Sequence, residues 1–373
     1  MPTICLIPGD GVGQEVIPAA AAVIAAILPG VSFVEAEAGW DCFLRCGTAL
    51  PDATVAAVAA ADGTLFGATQ SPITGDSHPP HPPPVATGGG PGRGAYRSPI
   101  LALRKQFDLY ANLRPTVSLP SHVPVASEAP GTLVDLLIVR ENTEGLYSGR
   151  ERREDADTAI AERVITRRAS ERIACVAFEQ ARRRISESAN RRISAQHSPF
   201  AIRHSLVTIV HKANVLKLTD CLFRESCLAV AREYEDVRVE EMLVDAAAMW
   251  LVKDPTRFDV IVTTNLFGDI LSDEAAGLVG GLGVAPSANV GAGRAAVFEP
   301  VHGSAPDIAG KGIANPVGAI LSAAMLLDHL GEAAAGERVR QAVAATIAAG
   351  VVTPDLGGRN TTAQVTEAVC HAL

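Results

Sequence analysis

From Thr3 to Thr263, short runs of β-branched and aliphatic residues alternate with longer stretches whose apolar residues recur at helical spacing. Such alternation is accommodated by a largely parallel sheet with both faces covered by helices. Strands are predicted at Thr3–Ile7, Val31–Ala36, Thr64–Ala68, Leu133–Val139, Arg163–Thr166, Leu206–Val210, Val237–Val244 and Val260–Thr263. Helices are predicted at Gln14–Leu28, Ala53–Ala60, Pro99–Phe107, Ser170–Arg184, Asp220–Tyr234, Ala246–Lys253, Asp269–Leu278, Pro316–Leu330 and Glu337–Ala349. Ser98-Pro99 opens one of them with a capping residue followed by proline at the first helical position. Residues 75–94, with His-Pro-Pro-His-Pro-Pro-Pro and three consecutive glycines, support no regular element. They form either an active-site lid or a disordered insertion.

The net charge of −9 argues against general nucleic-acid affinity. The basic stretch Arg182–Arg192 reads as a solvated helix face. The longest apolar run, Ile17–Leu28, falls well short of the roughly 20 residues a membrane helix needs. No signal-peptide pattern precedes it. Seven scattered cysteines, an odd number without paired knuckles, read as reduced thiols in a cytoplasmic protein. Cys42 and Cys46 are four apart, a spacing that suits a metal, but no second pair supports one.

Chemistry concentrates in a few places. Gly9, Gly11 and Gly13 follow the first strand, but their spacing is not that of an ordinary dinucleotide fingerprint. Arg104, Arg114 and Arg140 each lie on or beside an apolar run, a poor place for an unpaired cation. Three such forks suggest convergence on carboxylates. Asp269 and Asp273 share a helix face, and Asp245 follows a strand. Oxygen-only donors favour Mg²⁺ or Mn²⁺ over Zn²⁺. Lys212, at a strand's end, suits a base if nearby cations lower its pKa, and Tyr147 a proton donor.

Taken together, the stretches Ile7–Glu15, Leu109–Pro115, Val139–Tyr147, His211–Val215, Asn265–Asp273 and Glu299–Pro316 resemble the β-decarboxylating dehydrogenases of isocitrate, 3-isopropylmalate and homoisocitrate. The segments Phe66–Pro72 and Ser98–Lys105 are most similar to homoisocitrate dehydrogenases. The resemblance implies an α/β fold of two lobes sharing a mixed, largely parallel sheet: residues 1–109 with 280–373 bind NAD, and 110–279 bind substrate and metal and form the dimer. It implies NAD-dependent, metal-dependent oxidative decarboxylation of a 3-carboxy-2-hydroxy acid, homoisocitrate to 2-oxoadipate first. Isocitrate, 3-isopropylmalate or a phosphonate analogue are alternatives.

By the same resemblance, Ser71, Ser98, Arg104, Arg114, Arg140 and Asn214 contact substrate. Tyr147 and Lys212 move protons, and Asp245, Asp269 and Asp273 hold Mg²⁺ or Mn²⁺, with Lys212 and Asp245 arriving from the partner of a homodimer or larger homo-oligomer. Glu299, His302, Gly303, Ser304, Ala305, Asp307, Ile308 and Asn315 meet the cofactor. A carboxylate at Asp307 accepts bonds from a ribose 2′-OH and repels a 2′-phosphate, so it favours NAD. A non-catalytic regulatory subunit of a heteromeric isocitrate dehydrogenase would usually lack part of this set, which the chain retains in full. The Pro/Gly-rich loop and the Arg-rich stretch 182–203 depart from the family pattern.

Overall fold

The computed structural model describes residues 1–70, 96–120, 133–194 and 205–373. Ser71 and the loop expected at 75–94 lie outside them.

In chain order the elements are β1 (Thr3–Ile7), α1 (Gly13–Ile27), β2 (Ser32–Glu35), α2 (Trp40–Cys46), α3 (Asp52–Ala60), β3 (Gly63–Phe66), α4 (Pro99–Gln106), β4 (Ala111–Val117), β5 (Asp135–Glu141), β6 (Glu151–Arg153), β7 (Ala159–Ala161), α5 (Arg167–Ser194), β8 (Leu206–His211), α6 (Thr219–Ala231), β9 (Arg238–Leu243), α7 (Val244–Lys253), β10 (Val260–Thr263), α8 (Asn265–Leu278), β11 (Pro286–Val290), β12 (Val297–Pro300), α9 (Val317–His329), α10 (Ala333–Ala348) and α11 (Thr362–Ala372).

Ten strands form one sheet in the order β2-β1-β3-β12-β11-β4-β5-β10-β8-β9, while β6 and β7 pair separately. Two parallel blocks flank the sheet: β2-β1-β3-β12 on one side and β5-β10-β8-β9 on the other. Antiparallel β11 and β4 join them in the middle. The sheet is mixed and mostly parallel, as the alternation requires.

The parallel strands are apolar on both faces because helices cover both. The TICLI run of β1 and all of β10 are buried beyond their first residue or throughout. The main core runs from α1 across α9, α10 and α11, and continues under α7 and α8. A second core packs α5 and α6 against β5, β8 and β10.

One predicted strand is absent. Residues 163–166 make only an isolated bridge, between Val164 and Gly145. Their polar groups are used elsewhere: Arg163 donates to Asp220 and to Thr264 Oγ1, and Thr166 Oγ1 accepts from the N–H of Ala169 at the start of α5. Ser98 occupies the N-cap position of α4 without making a capping hydrogen bond, and it lines the cleft described below. The start of the basic stretch lies on α5, but it is not simply solvated: Arg182 pairs with Asp236, and Arg184 bridges Asp135 and Asp259.

Candidate active site

In a parallel block, strand C-termini share one edge, and ligands bind outside it. Here β5, β10, β8 and β9 end at Glu141, Thr263, His211 and Leu243. Arg140, opposite Thr263 in register, is only 1% exposed. Its Nε and Nη2 donate to Asn265 Oδ1 at 3.2 and 2.7 Å, and its Nη1 donates to Asp269. The close approach of α8 depends on Gly268, where an added Cβ would sit 2.7 Å from the Arg140 side chain.

Arg114, from β4, donates through Nε to Asn112 Oδ1 at 2.7 Å and through Nη1 to Ser272 Oγ at 2.7 Å and Asp273 Oδ1 at 3.1 Å. Its Nη2 lies 3.2 Å from Asp269. The Tyr147 hydroxyl donates to the other oxygen of Asp269, and the Arg140 guanidinium stands 5.1 Å from the Tyr147 ring centre. Arg114, Arg140, Tyr147, Asp269 and Asp273 thus form one connected group.

The electrostatics follow from this packing. Burial pushes Asp269 up, but Arg140 and Arg114, the Tyr147 hydroxyl and Arg104 together pull it below the ordinary carboxylate range. Burial wins at Asp273, which is raised despite Arg114. Burial and then Asp269 raise Tyr147, so its hydroxyl holds its proton. Arg104, from α4, donates to Glu299 Oε1 at 2.9 Å, and Asn289 Nδ2 donates to the same oxygen at 2.8 Å. The Glu299 carboxylate is therefore engaged with protein groups.

Lys212 and Asp245 form a second, separate group. The Lys212 ammonium donates to Asp245, whose carboxylate is 64% exposed and held below its usual range by that lysine. Buried Asp220 accepts the Lys212 backbone N–H at 2.6 Å and pairs with Arg163, fixing the turn after β8. Asn214 is exposed on that turn. Among the described residues, Asp245, Asp269 and Asp273 do not bring their carboxylate oxygens within 4.8 Å of one another.

A cleft of about 210 Å³ opens at the edge of β3, β12 and the antiparallel pair β11-β4, lined by Thr69, Ser98, Ile100, Arg104, Arg114, Glu299, His302 and Gly303 among others. The segment after β12 forms its far wall. Ser304 accepts the N–H of Val12 at 2.9 Å, and Gly310 donates to Glu15 at 2.7 Å. Gly11 is required there, since a Cβ would lie 2.1 Å from the Ser304 carbonyl. The first glycine turn thus supports the loop by close packing, in keeping with its non-fingerprint spacing. Ala305 sits at φ +38°, uncommon for a residue with a Cβ. Ile308 follows it, closing a turn onto the Ala305 carbonyl, and Asp307 is exposed. The His302 Nε2 is buried and has no hydrogen-bond partner among the described residues. Asn315 is engaged at both ends of its amide, by the Val317 N–H and by Asp355.

Sequence reasoning missed the residues that hold these groups: Asn112, Asn265, Ser272, Asp220 and Glu144. Thr264-Asn265 directly after a strand was a readable helix-start signal; the others had none. Buried Glu144, three residues before Tyr147, accepts from the N–H and hydroxyl of Thr166. Burial raises it from an ordinary 4.5 to about 7. Because the folded value is the higher one, this group favours folding fully below about pH 4.5, and that contribution is lost as pH rises through about 7. Glu144→Gln is therefore expected to flatten the fall of Tm between pH 5 and 8; an unchanged slope would exclude Glu144 as its source.

The family model described as isocitrate/isopropylmalate dehydrogenase matches residues 3–369. The chain belongs to that family. The family comprises oxidative decarboxylating dehydrogenases of hydroxy acids that use a nicotinamide dinucleotide and a divalent metal. The chain is 52% identical over 370 residues to an isocitrate/homoisocitrate dehydrogenase of Thermus thermophilus, covering 99% of this chain and 98% of that one. It is 46% identical over 380 residues to a homoisocitrate dehydrogenase of Methanocaldococcus jannaschii, covering 100% and 98%. A crystal structure of isocitrate dehydrogenase from Methylococcus capsulatus superimposes with a TM-score of 0.84 at 42% identity, covering 100% and 99%. No described helix is long and apolar enough to cross a membrane.

Proposed function

We propose that this enzyme oxidises homoisocitrate with NAD and decarboxylates the product to 2-oxoadipate. The observation that supports the reading is the connected group of Arg114, Arg140, Tyr147 and Asp269, whose guanidinium, phenol and carboxylate groups suit carboxylate binding, proton donation and cation binding.

Asp269 and Asp273 offer adjacent oxygen donors without sulfur or nitrogen, a set suited to Mg²⁺ or Mn²⁺. Asp245 from a second copy completes it. The α7 face that carries Asp245 also exposes Met249 and Val252, and Ile270 is exposed on α8. Apolar residues grouped around an unshared ligand favour a homodimer that buries them. A cation held there would supply Lewis acidity to the substrate's oxygens, and a bound nicotinamide dinucleotide would supply the hydride acceptor.

The chain's own groups do the rest. Arg104, Arg114 and Arg140 supply the positive charge that orients the substrate carboxylates. Lys212, supplied by the partner, takes the hydroxyl proton. Tyr147 keeps its proton until carbon dioxide has left, then delivers it to carbon. His302 and the loop to Asn315 would hold the dinucleotide, with exposed Asp307 the residue that would accept from its ribose hydroxyls. The same reading divides the chain into 1–109 with 280–373 around NAD, and 110–279 around substrate and dimer contact, in a cytoplasmic setting.

Homoisocitrate is preferred because two relatives carry that name and because Ser98 and exposed Arg97 open α4 toward a distal carboxylate. Isocitrate, named for one of those relatives, is shorter by one methylene, which is worth about tenfold or more in kcat/KM. The test is kcat/KM for homoisocitrate, isocitrate and 3-isopropylmalate with NAD and with NADP. Homoisocitrate with NAD should rank first, and NADP should trail by about 100-fold, as like-charge juxtaposition costs several kcal/mol. A higher value for isopropylmalate would overturn the substrate, and parity of NADP would overturn the role of Asp307.

A further inference from the structure

A second set of metal-binding side chains lies away from the cleft's acidic group, on α2. Glu37, in the turn after β2, and Cys42 and Cys46, one helical turn apart, bring a carboxylate oxygen and two sulfurs within 4.8 Å of one another. We infer that Glu37, Cys42 and Cys46 bind one thiophilic divalent cation of the zinc class, bracing α2 onto the nucleotide-side block of the sheet.

Geometry favours a cation over a disulfide. Residues four apart on a helix hold their Cβ atoms about 5–6 Å apart, whereas a disulfide tolerates about 4.5 Å. A tetrahedral zinc with sulfurs at about 2.3 Å separates them by about 3.8 Å, so side-chain rotation of about 1 Å closes the site. Two thiolates select a soft or borderline cation over magnesium. Three protein ligands leave the fourth position to water.

The scaffold holds these ligands in place before any cation arrives. The Glu37 carbonyl accepts from Thr54 Oγ1 at 2.7 Å, and Arg45 engages one oxygen of its carboxylate. The Gly39 N–H bonds Ala49 at 2.9 Å. The N–H groups of Trp40 and Asp41 donate to Asp10 at 2.7 and 3.0 Å. Cys42 is buried while Cys46 is exposed, which provides an entry path. The site shares no residue with the group around Asp269, yet α2 is not isolated. Trp40 and Phe43 pack on Tyr96 at ring distances of 5.3 and 5.5 Å, and the Tyr96 hydroxyl donates to Gln70 at 2.7 Å. A cation on α2 therefore stiffens the approach to α4.

The experiment titrates the reduced, metal-free full chain with Cd²⁺ and follows thiolate-to-metal charge-transfer absorbance, to which an all-oxygen site contributes nothing. One saturating equivalent per chain is expected. The band should vanish in Cys42→Ser and in Cys46→Ser, weaken about tenfold in affinity in Glu37→Gln, and persist in Asp269→Asn. In parallel, Zn²⁺ should protect Cys42 and Cys46 of the unmutated chain from iodoacetamide, read by peptide mass, while Cys175 and Cys221 alkylate as before. A wild-type chain without the band, a band that survives Cys42→Ser, or unprotected Cys46 would each overturn the site, whether or not the variants fold.

Discussion

Replacing Asp269 by Asn should lower kcat by about 10²–10³, the loss associated with removing one preorganised electrostatic group from a transition state, while NAD affinity changes little. The carboxylate stands where Arg140 and Arg114 need its charge and the Tyr147 hydroxyl needs an acceptor, and in the proposed function it also offers the cation an anionic oxygen. Asparagine keeps an acceptor oxygen for Arg140 and removes the charge, so the fold should survive. Asp269→Ala removes both. It leaves the 1%-exposed Arg140 with only the Asn265 carbonyl, and stability should fall toward the about 3–5 kcal/mol typical of a broken buried pair. The comparison separates the chemistry of Asp269 from its packing. Turnover of Asp269→Asn within tenfold of wild type, or NADH production that persists after chelation, would remove the cation from the reaction.

The parallel blocks were legible because they obey one rule: strands buried on both faces are apolar throughout, so β1, β3, β8 and β10 stand out as runs. The centre of the sheet broke that rule. β4 buries Asn112 and Arg114, β11 buries Ser287 and Asn289, and β12 carries Glu299 between its apolar residues. Read by hydropathy these segments look like loops, since their inward positions are given to the site. The same substitution hid the first turn of α8, where Asn265 and Gly268 replace helix formers in order to hold Arg140. Different causes hid two helices: α2 is a single short element with cysteines on its face, and α11 was announced by a capping box at Thr361 and Gln364 that hydropathy does not weigh. Site residues of unusual type in an apolar setting, such as the three arginines, were easier to find than the strands bearing them. The partners that orient them were not, because Asn and Ser beside a strand carry no distinguishing spacing.

The proposed division of the site between two chains yields a sharper expectation. Tyr147 belongs with Arg140 and Asp269, whereas Lys212 and Asp245 form their own pair on an exposed edge beside α7. If each site draws Lys212 from the partner, Tyr147→Phe and Lys212→Met should each lower turnover by about 10²–10⁴ alone, the usual worth of a positioned proton-transfer group. Mixed, unfolded and refolded together in equal amounts, they should regain activity. Random pairing makes about half of the dimers mixed, and in each mixed dimer one site receives both defects while the other receives none, so about a quarter of wild-type activity returns. Were both groups drawn from the same chain, every site in the mixture would carry one defect and nothing would return. The outcome turns on the placement of Lys212 alone, since either arrangement tolerates the same single-variant losses. A mixture that stays as inactive as its components would move the proton acceptor back into the chain that supplies Tyr147, and with it the need for Asp245 to cross between subunits.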